Sequence, residues 1–371
     1  MSKAILINDL GNGGAERVVS HIINNMDDDV FLINIWKNDF NLVKNDKRIY
    51  LLESRKNLPY DLFIAFFKLI KVIKDNKISS VNSHLFWSNY LNVFSSLFVK
   101  HKTICTHCVS FDSKFEKKSV KSIFHGFLVK FLLKHSKLHT YKSHDMKVEY
   151  ESRFNLKNGM VIYNPVFYDS ILEKAKSNCE FKWNSEKVYV LVVGRFHKTK
   201  NQMAIIKSIP KVKEKFSFIF LGDGDELYNC KEMANELGVS ERVFFLGQVN
   251  NPYPFFKRSK IYLSASLSEG FPNALIEAIS LGCYPIVLDC KTGPREILSL
   301  FYSTPEENEF DFGFLYSLGF LLNSDSTYDI SEAINFFDDE KHNIKPHVRN
   351  ELISNLQSDK ILFMYEKAMM E

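Results

Sequence analysis

The sequence predicts an α/β protein built from two Rossmann-like domains, each with a doubly wound parallel sheet. Its 371 residues exceed one ordinary compact domain and suit two of roughly 150 to 200 residues each. Short apolar runs rich in Ile, Val and Leu alternate with longer amphipathic stretches, which is typical of parallel strands joined by crossover helices. This alternation occurs twice, before and after a polar segment around Ser170 to Glu186, which puts the domain boundary near Val166 to Trp183.

Each series supplies its strands in order. The first contains "AILIN", a helix from Ala15, then "VFLINIW", "ISSVNSH", "KTICTH", "KLHTY" and "GMVIYNP". The second contains "VYVLVVG", "FSFIFLG", "RVFFLG", "IYLSAS" and "YPIVLD". We therefore predict an N-terminal domain over residues 1–168 and a C-terminal domain over 169–345. A final helix over 346–371 has the N-terminal domain as its candidate docking partner.

Composition narrows the class of protein. Hydrophobic residues make up 45% and charged residues 25% of the chain, as in globular proteins. The six scattered cysteines form no disulfide framework and no secretory signal precedes "KAILIND", so we expect a cytoplasmic protein. Lysines interrupt the long apolar runs, so no membrane-spanning helix is predicted. The net charge of +4 comes with no recognised nucleic-acid-binding module, so we expect no nucleic acid as a partner.

Glycine-rich and charged clusters follow the predicted strands. They are "GNGGAER", "GRFHKTKN", "GDGDE", "SEGFPNALIE" and "CKTGPREIL". Open parallel sheets bind ligands at the carboxyl ends of their strands, where helix N-termini attract anions. The clusters are therefore candidate binding loops.

The stretch "SEGFPNALIEA" contains two carboxylates. Pro272 suits a first helical turn, so Glu269 lies ahead of the predicted helix Asn273–Leu281 and Glu277 lies inside it. Carboxylates that accept hydrogen bonds from vicinal hydroxyls, with amides from Gly270 onward that bind phosphate, suit a sugar nucleotide. The alternatives are a capping residue with a solvated helical residue, or a glycosidase-type acid pair.

The stretch "VVGRFHKTKNQ" contains two cations that suit a diphosphate. Arg195 and Lys200 lie in the loop after a buried strand, where a guanidinium fork and an ammonium could face one dianion. Taken alone, the two residues could equally be solvated surface charges. His197 and Lys198 add further potential cations, and the sequence leaves open which lysine reaches the ligand.

Several of these motifs, in order, resemble a known family. "VGRFHKTKNQ", "FLGDGDE", "FFLGQVNNPYPFFKRSKIYLSASLSEGFPNALIEAISLGCYPIV" and "TGPREIL" resemble the nucleotide-sugar half of the family 4 glycosyltransferases, which are retaining enzymes of the GT-B architecture. The resemblance covers Val188 to Leu298, and "GGAERV" and "VIYNPV" extend it more weakly over the first half. It implies two domains facing a central cleft. "CKTGPREIL" is similar to members that build bacterial surface polysaccharides from UDP-linked sugars.

The resemblance implies a role for each motif. Glu269 would contact hydroxyls of the transferred sugar, Glu277 the ribose, and Arg195 with Lys200 the diphosphate. The remaining implied donor-binding residues are Gly270, Phe271, Pro272 and Asn273 of the acidic motif, and Gly13 and Gly14 of the loop that closes over the phosphates. The alternative for that loop is a plain strand-to-helix turn.

Three other features have competing interpretations. The family commonly has a histidine facing the reacting sugar, which makes His107 the candidate catalytic residue, with His84 as its competitor. Asp223 to Asp225 spell Asp-x-Asp, but the resemblance implies a turn there and no metal site. Cys105 and Cys108 have zinc-ligand spacing without a second pair. We therefore expect no metal and no cofactor.

A basic segment, Lys114 to Lys137, carries seven lysines against one glutamate, with apolar residues at helical spacing. Such a helix could lie on an anionic membrane surface through Lys117, Lys118 and Lys121, or it could be an ordinary crossover helix. Because many enzymes of the resembled family take acceptors on lipid carriers, we expect peripheral contact with the inner face of the cell membrane.

Together these features predict retaining transfer of a hexose or N-acetylhexosamine from a nucleotide sugar, with UDP as the expected nucleotide. The acceptor would be a hydroxyl of a glycan, expected to be lipid-linked, in the biosynthesis of a bacterial surface polysaccharide such as an O-antigen or capsule. Two alternatives remain. One is a nucleotide-sugar epimerase of the same fold, and the other is a non-catalytic binding partner of a transferase.

Overall fold

The computed structural model describes residues 2–26, 29–38, 40–41, 43–44, 46–115, 119–299 and 309–370. The chain forms two compact units. Unit 1 comprises Met1–Pro165 together with Ser358–Glu371, and unit 2 comprises Val166–Gln357. The division falls three residues before the end of the predicted N-terminal domain, 1–168.

Unit 1 is a seven-stranded sheet covered by helices. Its strands are β1 Ser2–Ile7, β2 Val30–Trp36, β3 Arg48–Leu52, β4 Ile78–His84, β5 Lys102–His107, β6 Leu138–Tyr141 and β7 Gly159–Val161. Its helices are α1 Gly14–Asn24, α2 Leu58–Asp75, α3 Phe86–Ser96, α4 Phe111–Lys114, α5 Val120–Phe131 and α6 His144–Phe154, together with the C-terminal α15 Ser358–Met370. The order β3-β2-β1-β4-β5-β6-β7 is parallel throughout, so the predicted Rossmann-like sheet is confirmed.

Unit 2 has an eight-stranded sheet. Its strands are β8 Val188–Val193, β9 Phe216–Leu221, β10 Val243–Phe245, β11 Ile261–Ser264, β12 Tyr284–Leu288, β13 Glu309–Phe310, β14 Gly313–Tyr316 and β15 Gly319–Leu322. Its helices are α7 Tyr168–Lys174, α8 Gln202–Ser208, α9 Leu227–Glu236, α10 Tyr253–Arg258, α11 Asn273–Leu281, α12 Pro294–Leu298, α13 Thr327–Phe336 and α14 Pro346–Asn355.

The sheet of unit 2 departs from the prediction at one edge. Its order is β10-β9-β8-β11-β12-β15-β14-β13. The strands from β10 to β15 are parallel, whereas β14 and β13 add an antiparallel edge. The sequence "FGFLYSLGFLL" forms this edge because Gly319 at φ +154° closes a tight turn between β14 and β15. A short turn of this kind can only join antiparallel strands.

The predicted C-terminal helix, 346–371, is two helices. The first, α14, belongs to unit 2, and the second, α15, belongs to unit 1. Lys102 Nζ donates to the carbonyl oxygen of Ala368 at 2.7 Å, and Lys142 Nζ contacts the hydroxyl of Tyr365. The ring of His84 stacks on Tyr365 with centroids 6.1 Å apart. The last helix therefore packs against the sheet of unit 1.

The contact between Lys142 and Tyr365 puts an amine in the interior of unit 1. Burial lowers the pKa of Lys142 from its ordinary value of 10.5 to about 8. Between these two values the unfolded chain binds more protons than the folded chain, so this residue makes the free energy of unfolding rise with pH. Below pH 8 the full cost of burying the charge is present.

We predict that Lys142→Met removes this pH dependence. Relative to the variant, the wild-type protein should gain about 1 kcal/mol of unfolding free energy between pH 7 and pH 9. Urea denaturation of both proteins over that range measures the difference, and buried thiols that titrate in both proteins cancel in it. Parallel pH profiles would show that the amine is not buried.

Candidate functional site

The candidate site of unit 2 lies where the strand order reverses. Strands β8 and β11 are neighbours, yet β8 connects onward to β9 on one side and β11 to β12 on the other. The loops that leave their carboxyl ends therefore diverge and open a crevice, which is where open α/β sheets bind ligands. Arg195 and Lys200 follow β8, and Glu269 follows β11. The topology thus places both sequence-predicted loops at one position.

The two loops meet through an ion pair. Lys200 Nζ lies 2.5 Å from Glu269 Oε1, with side chains that are 32% and 14% exposed. The main chain joins the same loops, because Leu267 N donates to the carbonyl oxygen of Thr199 at 2.8 Å. Of the two lysines in the first loop, Lys200 is the one that reaches the acidic motif. Lys198 is exposed.

Glu277 lies on the helix that the sequence predicted. Helix α11 begins at Asn273 and ends at Leu281, with Pro272 as its N-cap, so this prediction is confirmed. The Glu277 side chain is buried, and the hydroxyl of Tyr253 donates to its Oε1 at 3.4 Å. Burial raises the pKa of Tyr262, and the negative charges of Glu269 and Glu277 raise it further. Glu269 and Glu277 are therefore both close enough to the buried ring of Tyr262 to influence its pKa. Because Glu277 is buried, it is not a solvated helical residue.

Gly270 and Phe271 of the acidic motif also lie at the carboxyl end of the sheet of unit 2. Phe271 is buried, and Gly270 approaches the turn that follows β12. In that turn, Thr292 Oγ1 donates to the carbonyl oxygen of Glu269 at 2.5 Å. Gly293 has φ +99°, and a Cβ there would lie 2.7 Å from Pro272 Cδ. The "KTGPRE" turn therefore fixes the backbone of the acidic motif.

The "GDGDE" turn supports the cationic loop. Phe196 N donates to the carbonyl oxygen of Asp223 at 2.9 Å. Gly222 at φ +142° and Gly224 at φ +149° allow this contact, because a Cβ at either would lie 2.1 Å from Gly194 O or 2.3 Å from Phe196 O. Asp223 Oδ1 accepts from the amide of Gly224 at 2.7 Å. Asp223 and Asp225 thus belong to a bracing turn, as the resemblance implies.

Two residues hold the cationic loop in place: Gln202, which the sequence analysis did not single out, and His197, which it gave only as a potential cation. Gln202 Nε2 donates to the carbonyl oxygens of Gly194 at 3.3 Å and Arg195 at 3.0 Å. His197 Nδ1 accepts from Thr199 N at 3.2 Å, so His197 caps a short turn in this loop. In the sequence, the only signal for Gln202 was a polar residue directly after the cationic loop. Its burial is seen only in the structure.

The glycine loop of unit 1 occupies the corresponding position in its own sheet. The strand order reverses between β1 and β4. Asn8 follows β1 and Ser88 lies near the start of α3, and Ser88 Oγ donates a hydrogen bond to Asn8 Oδ1 at 2.9 Å. Gly13 caps α1 with an ordinary φ of −121°, and Gly14 begins the helix. A Cβ at Gly13 would meet only the flexible carboxylate of Glu16. The backbone conformation therefore does not require glycine at Gly13, and the close approach of a ligand stays a prediction.

His107 and His84 are both buried within unit 1. His107 Nε2 lies 3.1 Å from His139 Nδ1, and its ring stacks on Tyr141 with centroids 5.0 Å apart. Burial and the nearby His139 hold the pKa of His107 well below its ordinary value. Burial, with Lys142 nearby, does the same for His84, whose buried Nε2 has no hydrogen-bond partner among the described residues. Both imidazoles are therefore neutral at pH 7, and the role of His107 stays a prediction.

The remaining predicted residues are three lysines and two cysteines of unit 1. Lys117 and Lys118 lie outside the described residues, and Lys121 is exposed on α5. Cys105 and Cys108 are free thiols. Among the described residues, no group of three or more His, Cys, Asp and Glu side chains could hold a metal ion.

Comparisons with known proteins show which family the chain resembles. Residues 173–310 match the family described as glycosyl transferases group 1. Over these residues the chain is similar to the group 1 glycosyltransferases, and curated glycosyltransferases align with it. The Lys200–Glu269 pair and α11 both lie inside the matched range. The narrower family 4 assignment stays a prediction.

Relatives of this glycosyltransferase align over most of its length. The N-acetylgalactosamine-N,N'-diacetylbacillosaminyl-diphospho-undecaprenol 4-alpha-N-acetylgalactosaminyltransferase of Campylobacter jejuni is 28% identical over 79% of this chain and 82% of that enzyme. The lipopolysaccharide 1,6-galactosyltransferase of Salmonella typhimurium is 26% identical over 78% and 80%. Anabaena HepE in complex with UDP and glucose covers 99% of both chains with a TM-score of 0.78 at 14% identity. This likeness concerns the fold alone, and the predicted GT-B fold is confirmed.

We predict that Gly222→Ala destabilises unit 2 of this glycosyltransferase more than Gly238→Ala does. Both glycines have positive φ, but a Cβ at Gly222 would overlap the carbonyl of Gly194, whereas nothing lies within 4 Å of one at Gly238. The expected losses of unfolding free energy are about 3 kcal/mol and about 1 kcal/mol, respectively. Urea denaturation measures both, and equal losses would contradict the bracing role of the turn.

Proposed function

We propose that this glycosyltransferase moves a hexose or N-acetylhexosamine from a UDP-sugar to a hydroxyl of a lipid-linked glycan acceptor, with retention of the anomeric configuration. The observation that supports this most is the Lys200–Glu269 contact at the switch point of unit 2. It combines a diphosphate-binding cation and a hydroxyl-binding carboxylate in one place. The proposed pathway is the biosynthesis of a bacterial surface polysaccharide.

Donor binding exchanges the partners of this ion pair. Lys200 turns from Glu269 to the diphosphate, and Glu269 then accepts hydrogen bonds from hydroxyls of the transferred sugar. Arg195, exposed in the same loop, adds a guanidinium to the same phosphates. The amides of Gly270, Phe271 and Asn273, before and at the start of α11, would donate to the anion, and Glu277 would accept from the ribose hydroxyls. Gly13 and Gly14 are proposed further contacts to the phosphates.

The transfer step moves charge onto the departing diphosphate. The bond from the anomeric carbon to the phosphate oxygen breaks, and the acceptor oxygen forms its bond on the same face. The acceptor proton passes to an oxygen of the departing phosphate. Arg195 and Lys200 stabilise the growing negative charge, so the proposal requires no metal ion and no cofactor. His107 is the proposed histidine contact to the transferred sugar.

The relatives support the substrate classes. One relative's name specifies a diphospho-undecaprenol acceptor and an N-acetylgalactosaminyl group, and another names lipopolysaccharide and a galactosyl group. HepE was solved with UDP and glucose. From these names together we propose for this protein a UDP-linked hexose or N-acetylhexosamine as donor and an acceptor on a lipid carrier. A protein that meets such an acceptor works at the cytoplasmic surface of the membrane, and Lys117, Lys118 and Lys121 are its proposed contacts with anionic lipid.

No described helix is long and apolar enough to span a bilayer. The proposed association with the membrane is a contact of unit 1 with its surface, made by helix faces and lysines.

We predict that Arg195→Ala and Glu277→Ala each lower kcat/KM for the UDP-sugar by about 10-fold or more, because each loses a contact to the donor. Steady-state assays of sugar transfer measure this loss. Lys207→Ala, which removes an exposed lysine of α8, is the control and should retain wild-type kinetics. Unchanged kinetics in both Arg195→Ala and Glu277→Ala would end the assignment of this site.

A further inference from the structure

Helices α2 and α3 of unit 1, with the turn that follows α3, carry an exposed row of large apolar side chains. We call this row the aromatic ridge, and its members are Tyr60, Phe63, Phe67, Phe94, Leu97 and Phe98. Their exposed fractions lie between 43% and 63%. Soluble proteins rarely leave a contiguous patch of this kind uncovered without a binding role.

The ridge is continuous across the two helices. The rings of Phe63 and Phe67 are 5.0 Å apart on α2, and those of Phe94 and Phe98 are 5.6 Å apart. Phe66, which is 8% exposed, joins the two pairs, with its ring 5.1 Å from Phe67 and 4.8 Å from Phe94. The exposed rings are therefore one packed surface and not scattered side chains.

The ridge exists because α2 is apolar on two faces. Ala65, Leu69 and Ile73 point inward and belong to the core of unit 1. Tyr60, Phe63 and Phe67 follow at helical spacing on the outer side, and Lys71 and Lys74 continue the same line. A helix that needed only to cover the sheet would have polar residues at these outer positions.

The charged residues in the sequence around the ridge are mostly positive. Between residues 54 and 104 the sequence has eight Lys and Arg residues against two aspartates, Asp61 and Asp75. Asp61 is buried, where it accepts hydrogen bonds from Trp36 Nε1 and the amide of Lys56. Of these two aspartates only Asp75, the last residue of α2, is exposed beside the ridge. The rim is therefore cationic and fits an anionic surface.

The ridge lies on the same side of the sheet as α5. Right-handed connections from β3 to β4, from β4 to β5 and from β5 to β6 all run in one direction, so α2, α3 and α5 cover one face. Trp87 of α3 contacts His125 of α5, with ring centroids 5.1 Å apart. Helix α5 adds the exposed Val120, Ile123, Phe124, Phe127 and Phe131. One cationic and apolar face thus extends over three neighbouring helices.

We propose that the aromatic ridge inserts into the headgroup region of an anionic bilayer and is a membrane anchor separate from Lys117, Lys118 and Lys121. This inference extends the membrane contact of the proposed function. Aromatic rings flanked by lysines suit the boundary between headgroups and acyl chains. A second copy of the chain suits the ridge poorly, because a two-fold contact would bring the two lysine rims together.

The first experiment compares vesicle binding of the full chain with that of a triple variant, Phe63→Ser, Phe67→Ser and Phe98→Ser. The control is Tyr228→Ser with Tyr328→Ser, which removes two equally exposed rings from unit 2. Sedimentation with phosphatidylcholine vesicles that contain phosphatidylglycerol gives the partition coefficient. The triple variant should bind the vesicles at least about 10-fold more weakly than the wild type. The control variant should bind the vesicles like the wild type, and the triple variant should still bind UDP with wild-type affinity.

The second experiment reports insertion directly. Phe67→Trp places an indole in the ridge, and vesicles with brominated acyl chains should quench the fluorescence that this tryptophan adds. An equal partition coefficient for the triple variant and the wild type, or no quenching of the new tryptophan, would overturn the proposal. Loss of a dimer in the triple variant with vesicle binding intact would assign the ridge to self-association instead.

A third variant separates this proposal from the proposed function. If Lys117→Glu, Lys118→Glu and Lys121→Glu together release the protein from vesicles while the ridge variant does not, the ridge proposal fails and the lysine contact stands. If no form binds vesicles, both membrane proposals fail. Sugar transfer to a soluble acceptor then still decides the enzymatic assignment by itself.

Discussion

The candidate donor site depends on the pairing of β8 with β11. These strands are adjacent in the sheet although 67 residues separate Val193 from Ile261, and the chain leaves them in opposite directions. Their loops therefore meet at one edge, where Lys200 and Glu269 form an ion pair. Because the lysine is about one-third exposed, the pair contributes little to stability, of the order of 1 kcal/mol or less. A ligand that offers each residue a better partner can separate them at small cost.

The neighbouring turns hold the backbone of both loops in place while Lys200 and Glu269 change partners. Gly222 and Gly224 let the "GDGDE" turn pack against the backbone of the cationic loop, and Gln202 holds the same loop from the other side. The Thr292–Gly293 turn does the same for the acidic motif. The side chains of Lys200 and Arg195 can thus change partners while their backbone stays in place, which is what a preorganised anion site requires.

Local sequence patterns predicted the parallel strands, the bounds of α11 and the loops that carry charged residues. These features depend on periodicity and on residues such as Pro272, which act over a few positions. Contacts between distant segments could not be obtained in this way. The Lys200–Glu269 pair, the packing of Tyr365 on Lys142 and the antiparallel edge of unit 2 all depend on tertiary structure. Which face of α2 stays exposed likewise depends on tertiary structure, because an apolar pattern alone does not tell which face is covered.

The most direct test of the central claim compares the binding of UDP and uridine to the wild type and to Lys200→Met by calorimetry. If Lys200 leaves Glu269 to bind the diphosphate, the variant should lose about 10-fold or more of its affinity for UDP and keep its affinity for uridine. Lys198→Met, two positions away on the exposed side of the loop, should bind both like the wild type. An unchanged UDP affinity in Lys200→Met, or an equal loss for UDP and uridine, would contradict the account.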